Sequence, residues 1–111
     1  MIYIMERKRG FLDTLNISFG GVGLTELSLF AKHLSVMLKS GLPIAEALEI
    51  AADSASGRLR YILGEVTKSV RSGNSLYSSF THYPHIFSKF FLGSLFAGES
   101  SGTLELSLIH I

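Results

Sequence analysis

At 111 residues with no cysteine and a net charge of +1, the chain has room for one domain and for neither disulfide nor thiolate chemistry. Its ten basic and nine acidic side chains include no basic stripe interleaved with aromatics, which argues against nucleic-acid binding. A hydrophobic content of 47% and a mean hydropathy of +0.36 are high for a small soluble domain, yet no run of about 18 apolar residues is present to span a bilayer, so the surplus apolar surface points to partners or self-association.

Residues 1 to 23 read as a leader: an apolar start, the basic cluster Arg7-Lys8-Arg9, an apolar stretch from Phe11, and Gly20-Gly21-Val22-Gly23. The order lacks the cationic, apolar, small-residue sequence of a secretory signal. Arg7, Lys8 and Arg9 read as solvated surface rather than a contact with anionic lipid. Three glycines in four positions predict a flexible joint. Beyond it Thr25 is a candidate N-cap, and Leu27, Phe30, Leu34, Leu38 and Gly41 keep one face of a first helix apolar. Ser40-Gly41-Leu42-Pro43 ends it, glycine taking the left-handed position and proline opening the next helix.

Ile44, Ala47, Leu48, Ala51 and Ala55 form the inner face of a second helix that Gly57 ends, with Glu46, Glu49 and Asp53 outward. Leu59, Ile62, Leu63, Val66 and Val70 mark a third, whose opposite face carries Arg60, Glu65, Lys68 and Arg71, and which stops at Ser72-Gly73. Asn74 or Ser75 caps a short fourth helix through Leu76, Tyr77 and Phe80. Pro84 interrupts before an aromatic helix from about 87 to 97, and a sixth helix begins near Thr103. Short corners between successive helices predict an all-α fold, a compact antiparallel bundle of about six short helices.

Gly98-Glu99-Ser100-Ser101-Gly102 fits G-x-S-x-G, the pattern that exposes a nucleophilic serine on a strand-to-helix turn. Such a serine needs a strand before it and a histidine and carboxylate beside it. Phe87, Phe91 and Leu95 recur every four residues ahead of the pattern, which is helical spacing, and downstream only His110 is available as a base. A serine hydrolase using Ser100 is therefore the lesser reading, and a tight corner between two helices the better one. In that corner Gly98 lets its helix approach a neighbour, Gly102 permits the reversal, and Ser101 or Thr103 caps the helix that follows. The Glu99 carboxylate has three open roles: the positive end of the sixth helix, a partner, or a cation.

The ordered pieces resemble a known family. Phe30-x-x-x-Leu34-x-x-x-Leu38-x-x-Gly41-x-Pro43, then Ala47-Leu48, Gly73-x-Ser75-Leu76, Pro84-x-x-Phe87 and Gly98-Glu99-x-Ser101-Gly102-x-Leu104 are similar to the cytoplasmic domain of type II secretion system protein F, which also occurs in the type IV pilus assembly protein PilC. The likeness covers about residues 24 to 105. It implies an inner-membrane platform protein with two such helical repeats and intervening membrane spans, this chain matching the first repeat. It further implies a domain on the cytoplasmic side, without catalysis or cofactor, that couples an assembly ATPase to pilus or pseudopilus building. Partners on that reading are the ATPase, other platform components and further copies of the chain, with the membrane reached through segments outside this sequence. The structural positions it carries over are Gly41, Pro43, Gly73, Gly98, Glu99, Ser101 and Gly102.

Residues 106 to 111 are what CTG TCT CTT ATA CAC ATC encodes, a transposase mosaic end used in sequencing libraries. We expect this tail to be adapter-derived and the sixth helix to be truncated; different codons in the coding DNA would refute that and leave a native helix start. His82 and His85 flank a proline and lack a third ligand, so they read as a loop pair without metal. Glu46, Glu49 and Asp53 read as a solvated face rather than a calcium site. Among Phe87, Phe90, Phe91 and Phe96, core packing explains most, and an exposed ring such as Phe90 marks a helix contact with a partner or a second copy.

Overall fold

A computed structural model describes Ser18, Phe19 and residues 21 to 109. The basic cluster at residues 7 to 9, and His110, lie outside the described residues. The described chain begins as a two-residue hairpin, β1 (Ser18–Phe19) against β2 (Val22–Gly23), antiparallel with Phe19 opposite Val22. Gly21 turns it at φ +88°, a value that glycine reaches without steric cost. The expected loose joint is thus, in its described part, a packed turn: Val22 is fully buried and β2 lies against the first helix.

Six helices follow among the described residues: α1 (Leu24–Lys39), α2 (Ile44–Ser54), α3 (Gly57–Arg71), α4 (Leu76–Phe80), α5 (Lys89–Ser101) and α6 (Leu104–Ile109). The all-α expectation holds. In α1 the buried side chains Leu27, Phe30, Ala31 and Leu34 fall three and four apart, the spacing that gives a helix one apolar stripe. Close packing of α2 on α3 fits the small buried alanines Ala47, Ala51 and Ala52. The last helix closes the bundle by packing on both α1 and α5. Leu108 of α6 is 1% exposed and belongs to the core.

Phe80 sits at the centre of that core. Its ring lies 4.5 Å from Phe87, 5.7 Å from Phe91 and 6.0 Å from Phe30, centroid to centroid. The tilted and edge-on angles are those that suit aromatic quadrupoles. One short helix, one loop residue and two long helices are thereby locked to a single point.

Several local expectations are corrected. Thr25 does not cap α1: the boundary residue is Gly23, without a side-chain bond, and the Thr25 hydroxyl oxygen is buried without a hydrogen-bond partner. Gly57 opens α3 instead of ending α2, which already stops at Ser54 because Ala55 is extended. The aromatic helix starts at Lys89, later than its phenylalanines suggest, since Ser88 caps it by accepting from the Phe91 amide at 3.1 Å. Phe87 is buried all the same, from the loop before the helix. Of the two candidate caps for α4, Ser75 does the work, accepting from the Ser78 amide at 3.0 Å, while Asn74 donates to the Ser69 hydroxyl at 3.1 Å.

Candidate functional site: the corner at Glu99

Three helices end the same way. Gly41, Gly73 and Gly102 stand at φ +94°, +103° and +75°, in the region L side chains avoid. After each, the next amide reaches back to a carbonyl five residues earlier: Leu42 to Met37 at 3.2 Å, Asn74 to Ser69 at 3.2 Å, and Thr103 to Gly98 at 2.9 Å. This is the left-handed closure that satisfies carbonyls at a helix end. A methyl group added at any of the three glycines would meet nothing within 4 Å, so their requirement is backbone conformation rather than space. Pro43 occupies the boundary position before α2, its carbonyl accepting from the Ala47 amide at 2.9 Å.

The end of α5 that Gly102 closes lies against the start of α4. Glu99, in the last turn of α5, accepts from the Leu76 amide at 2.6 Å and from the Tyr77 amide at 2.7 Å, one carboxylate oxygen each. Ser75 takes the Ser78 amide, and the Ser75 carbonyl takes the Ser79 amide at 3.0 Å. Every N–H of the first turn of α4 therefore has an acceptor, although a five-residue helix has almost no ladder of its own to supply one. The carboxylate also lies at the end of a helix where negative charge is favoured. The sequence left the partner of Glu99 open, with the sixth helix as one choice. It is the fourth, 22 and 23 residues upstream.

Around this latch the polar groups are mostly engaged with one another. The Ser79 hydroxyl lies 2.8 Å from both the Ser69 hydroxyl and the Ser75 carbonyl, tying α4 to α3. The Ser101 hydroxyl donates to the Ala97 carbonyl at 2.8 Å and lies 2.7 Å from the Thr103 hydroxyl, so it closes α5 from within. Gly98 is buried and borders a groove of about 320 Å³ with Leu38, Ile44, Gly102 and Leu104. Sequence reasoning missed Ser35. Its hydroxyl donates to the Glu105 carbonyl at 2.7 Å, joining the first helix to the last across 70 residues.

Ser100 is the second-last residue of α5, and no strand leads into it. The small cavity beside it is lined by Ser75, Tyr77, Phe96 and Glu99 and holds no histidine. Both oxygens of the adjacent carboxylate already accept backbone amides. That is not the geometry of an activated serine. The larger cleft, of about 420 Å³, opens elsewhere, between the start of α1 and the corner from α2 to α3, with Glu26 and His33 among mainly apolar lining residues. No group of three or more His, Asp or Glu side chains converges as a metal site among the described residues. His82 and His85 are exposed, as are Glu46 and Asp53, while Glu49 is ion-paired with Arg71.

The model of the family "Type II secretion system (T2SS), protein F" matches residues 30–111. The chain is 35% identical over 86 residues to type II secretion system protein F of Vibrio cholerae, covering 77% of this chain and 21% of that relative. It is 30% identical over 109 residues to the type IV pilus assembly protein PilC of Pseudomonas aeruginosa, covering 89% and 29%. It is also 35% identical over 89 residues to PilC of Thermus thermophilus, covering 79% and 22%. The chain thus spans under a third of the length of these relatives. No described helix is long and apolar enough to cross a membrane. With the family model matched from Phe30 onward, through all three glycine closures and the Glu99 latch, the chain belongs to the type II secretion system protein F family.

Proposed function

We infer that this chain is a non-catalytic domain of an inner-membrane platform protein for type II secretion or type IV pilus assembly. It stands on the cytoplasmic side and couples the assembly ATPase to pilus or pseudopilus building through contacts between folded surfaces. The observation that carries the reading is the use of the polar groups at the best candidate site. Glu99, Ser75 and Ser101 have their oxygens committed to holding α4, α5 and the following corner together, and relatives named for secretion and pilus assembly match most of the chain. A site spent on internal bonds suits a part that bears or transmits load more than one that transforms a substrate.

The test is photo-crosslinking in the full-length protein in its bacterial host. Photoreactive residues placed at the exposed positions Val36, Ile50, Tyr61 and Phe90 report contacts from different parts of the surface. The reading expects at least one position to capture the assembly ATPase, with capture changing when the ATPase cannot hydrolyse nucleotide. Capture by no position, in cells that still secrete or pilate, counts against the coupling role.

A further inference from the structure

We propose that residues 11 to 17, the apolar piece of the leader just upstream of the hairpin and outside the described residues, fold back into the cleft of about 420 Å³ between α1 and the corner from α2 to α3. One wall of that cleft is a face of α1 carrying Glu26, Leu29 and His33, and the opposite wall carries Ala51, Ala55 and Leu59. Leu29 and Ala55 are only half-buried, so apolar surface stays open along two turns of helix.

The tether selects the occupant. Ser18 pairs with Gly23, and Gly23 itself lines the cleft, so the chain upstream of Ser18 starts at the cleft's mouth. The hairpin is held there from the other side as well, because a Cβ on Gly21 would stand 3.0 Å from the Cδ of Arg58, in the first turn of α3. Two residues further in the register of that pairing, Asn16 comes beside Thr25. Thr25 lines the cleft, and among the described residues its hydroxyl is the buried side-chain group left without a hydrogen-bond partner. Such a group calls for a partner, and the Asn16 amide carries both donor and acceptor.

Length and pattern fit the same occupant. Glu26 to His33 is about 10 Å along α1, and residues 11 to 17 in helical form cover about 9 Å. Phe11, Leu12 and Leu15 then share one face, with Asp13 on the opposite one. Laid from Gly23 toward His33, the segment carries Arg7, Lys8 and Arg9 past the far end of a cleft that α2 borders, and the outward Glu46 and Asp53 of α2 have no ion pair among the described residues. Exposed ion pairs contribute little, so the apolar face carries the docking and charge sets its direction. Docking closes the cleft and ties the leader to the bundle, independently of any ATPase contact.

Paired cysteines in the intact chain test this, and each pair supplies the only thiols because the sequence has no cysteine. Ser54 and His33 line the cleft and are exposed, so cysteine at either leaves the core in place. A disulfide needs Cα atoms within about 7 Å of each other. Under mild oxidation, Leu15→Cys with Ser54→Cys at the near end, and Phe11→Cys with His33→Cys at the far end, should each close within one chain at least about tenfold faster than Leu15→Cys with Tyr61→Cys. Tyr61 is reached by the same tether and is 67% exposed, but lies outside the cleft lining. Phe11→Ser together with Leu12→Ser, both in the leader, should bring the 15–54 rate down to that of the 15–61 pair with the helical circular dichroism unchanged. A pair at either end no faster than the 15–61 control, a 15–54 rate indifferent to the two serines, or disulfides that join two chains instead of closing within one would each overturn the proposal. So would a cleft filled by a different protein while the 15–54 pair stays slow.

Discussion

Replacing Glu99 with alanine should cost about 2–4 kcal/mol of folding stability. The carboxylate accepts two backbone amides at 2.6 and 2.7 Å, and a hydrogen bond to a charged group contributes about 1.5–3 kcal/mol net. The sum is discounted because both bonds are only partly buried, so water reaches the released amides. Against a domain stability of about 5–15 kcal/mol, that loss is large. Glu99→Gln retains one acceptor oxygen without charge and should cost about 1–2 kcal/mol, and Ser75→Ala, which removes only the hydroxyl cap, about 1 kcal/mol. Urea unfolding measures the series, with hydrogen exchange at the Leu76 and Tyr77 amides as the local readout. Glu99→Ala within about 0.5 kcal/mol of the parent, with those two amides still protected, would refute the latch.

Gly102→Val should cost about 1–2 kcal/mol, from backbone strain alone given the empty space around the glycine, and an unchanged urea midpoint would contradict a left-handed closure there. Phe80→Ala should cost about 3–5 kcal/mol, because the ring anchors three aromatic contacts and is fully buried; calorimetry should find a lower and broader transition. The Tyr83 hydroxyl is held above the ordinary tyrosine value, first by burial and then by the negative charges of Glu65 and Tyr61, with Arg58 opposing. A raised folded-state value means that the contribution is intact below about pH 10 and is lost as pH rises through the folded value. Ultraviolet phenolate titration should therefore show one late-titrating tyrosine that Tyr83→Phe removes, and a curve unchanged by the substitution would contradict that environment.

The parts of this fold legible in the sequence are those where the local pattern and the tertiary packing agree. Leu27, Phe30 and Leu34 announce the buried face of α1 by spacing alone, and Gly41, Gly73 and Gly102 mark chain reversals because no other residue reaches their φ cheaply. Boundaries were less legible where two residues compete for one role. Thr25 has the chemistry of a cap but stands inside the helix, and Phe87 continues the apolar rhythm of α5 although Ser88, next along, starts that helix. The latch was half visible. A carboxylate beside a glycine corner signals a helix end, but which end depends on α4 folding back over α5, a contact set by Phe80 entering the core. Ser35 gave no signal, since a serine on an apolar helix face looks the same whether or not a carbonyl from the other end of the chain meets it.

Residues 98 to 102 form a structural corner, and the most direct measurement of that compares Ser100→Ala with Glu99→Ala in the full-length protein in its host. With protein levels matched by immunoblot, secreted substrate or surface pili are counted. Ser100→Ala should match the parent, and Glu99→Ala should lower the output, since it frees the start of α4. Loss of output with Ser100→Ala at normal protein level, alongside full output with Glu99→Ala, would contradict the account.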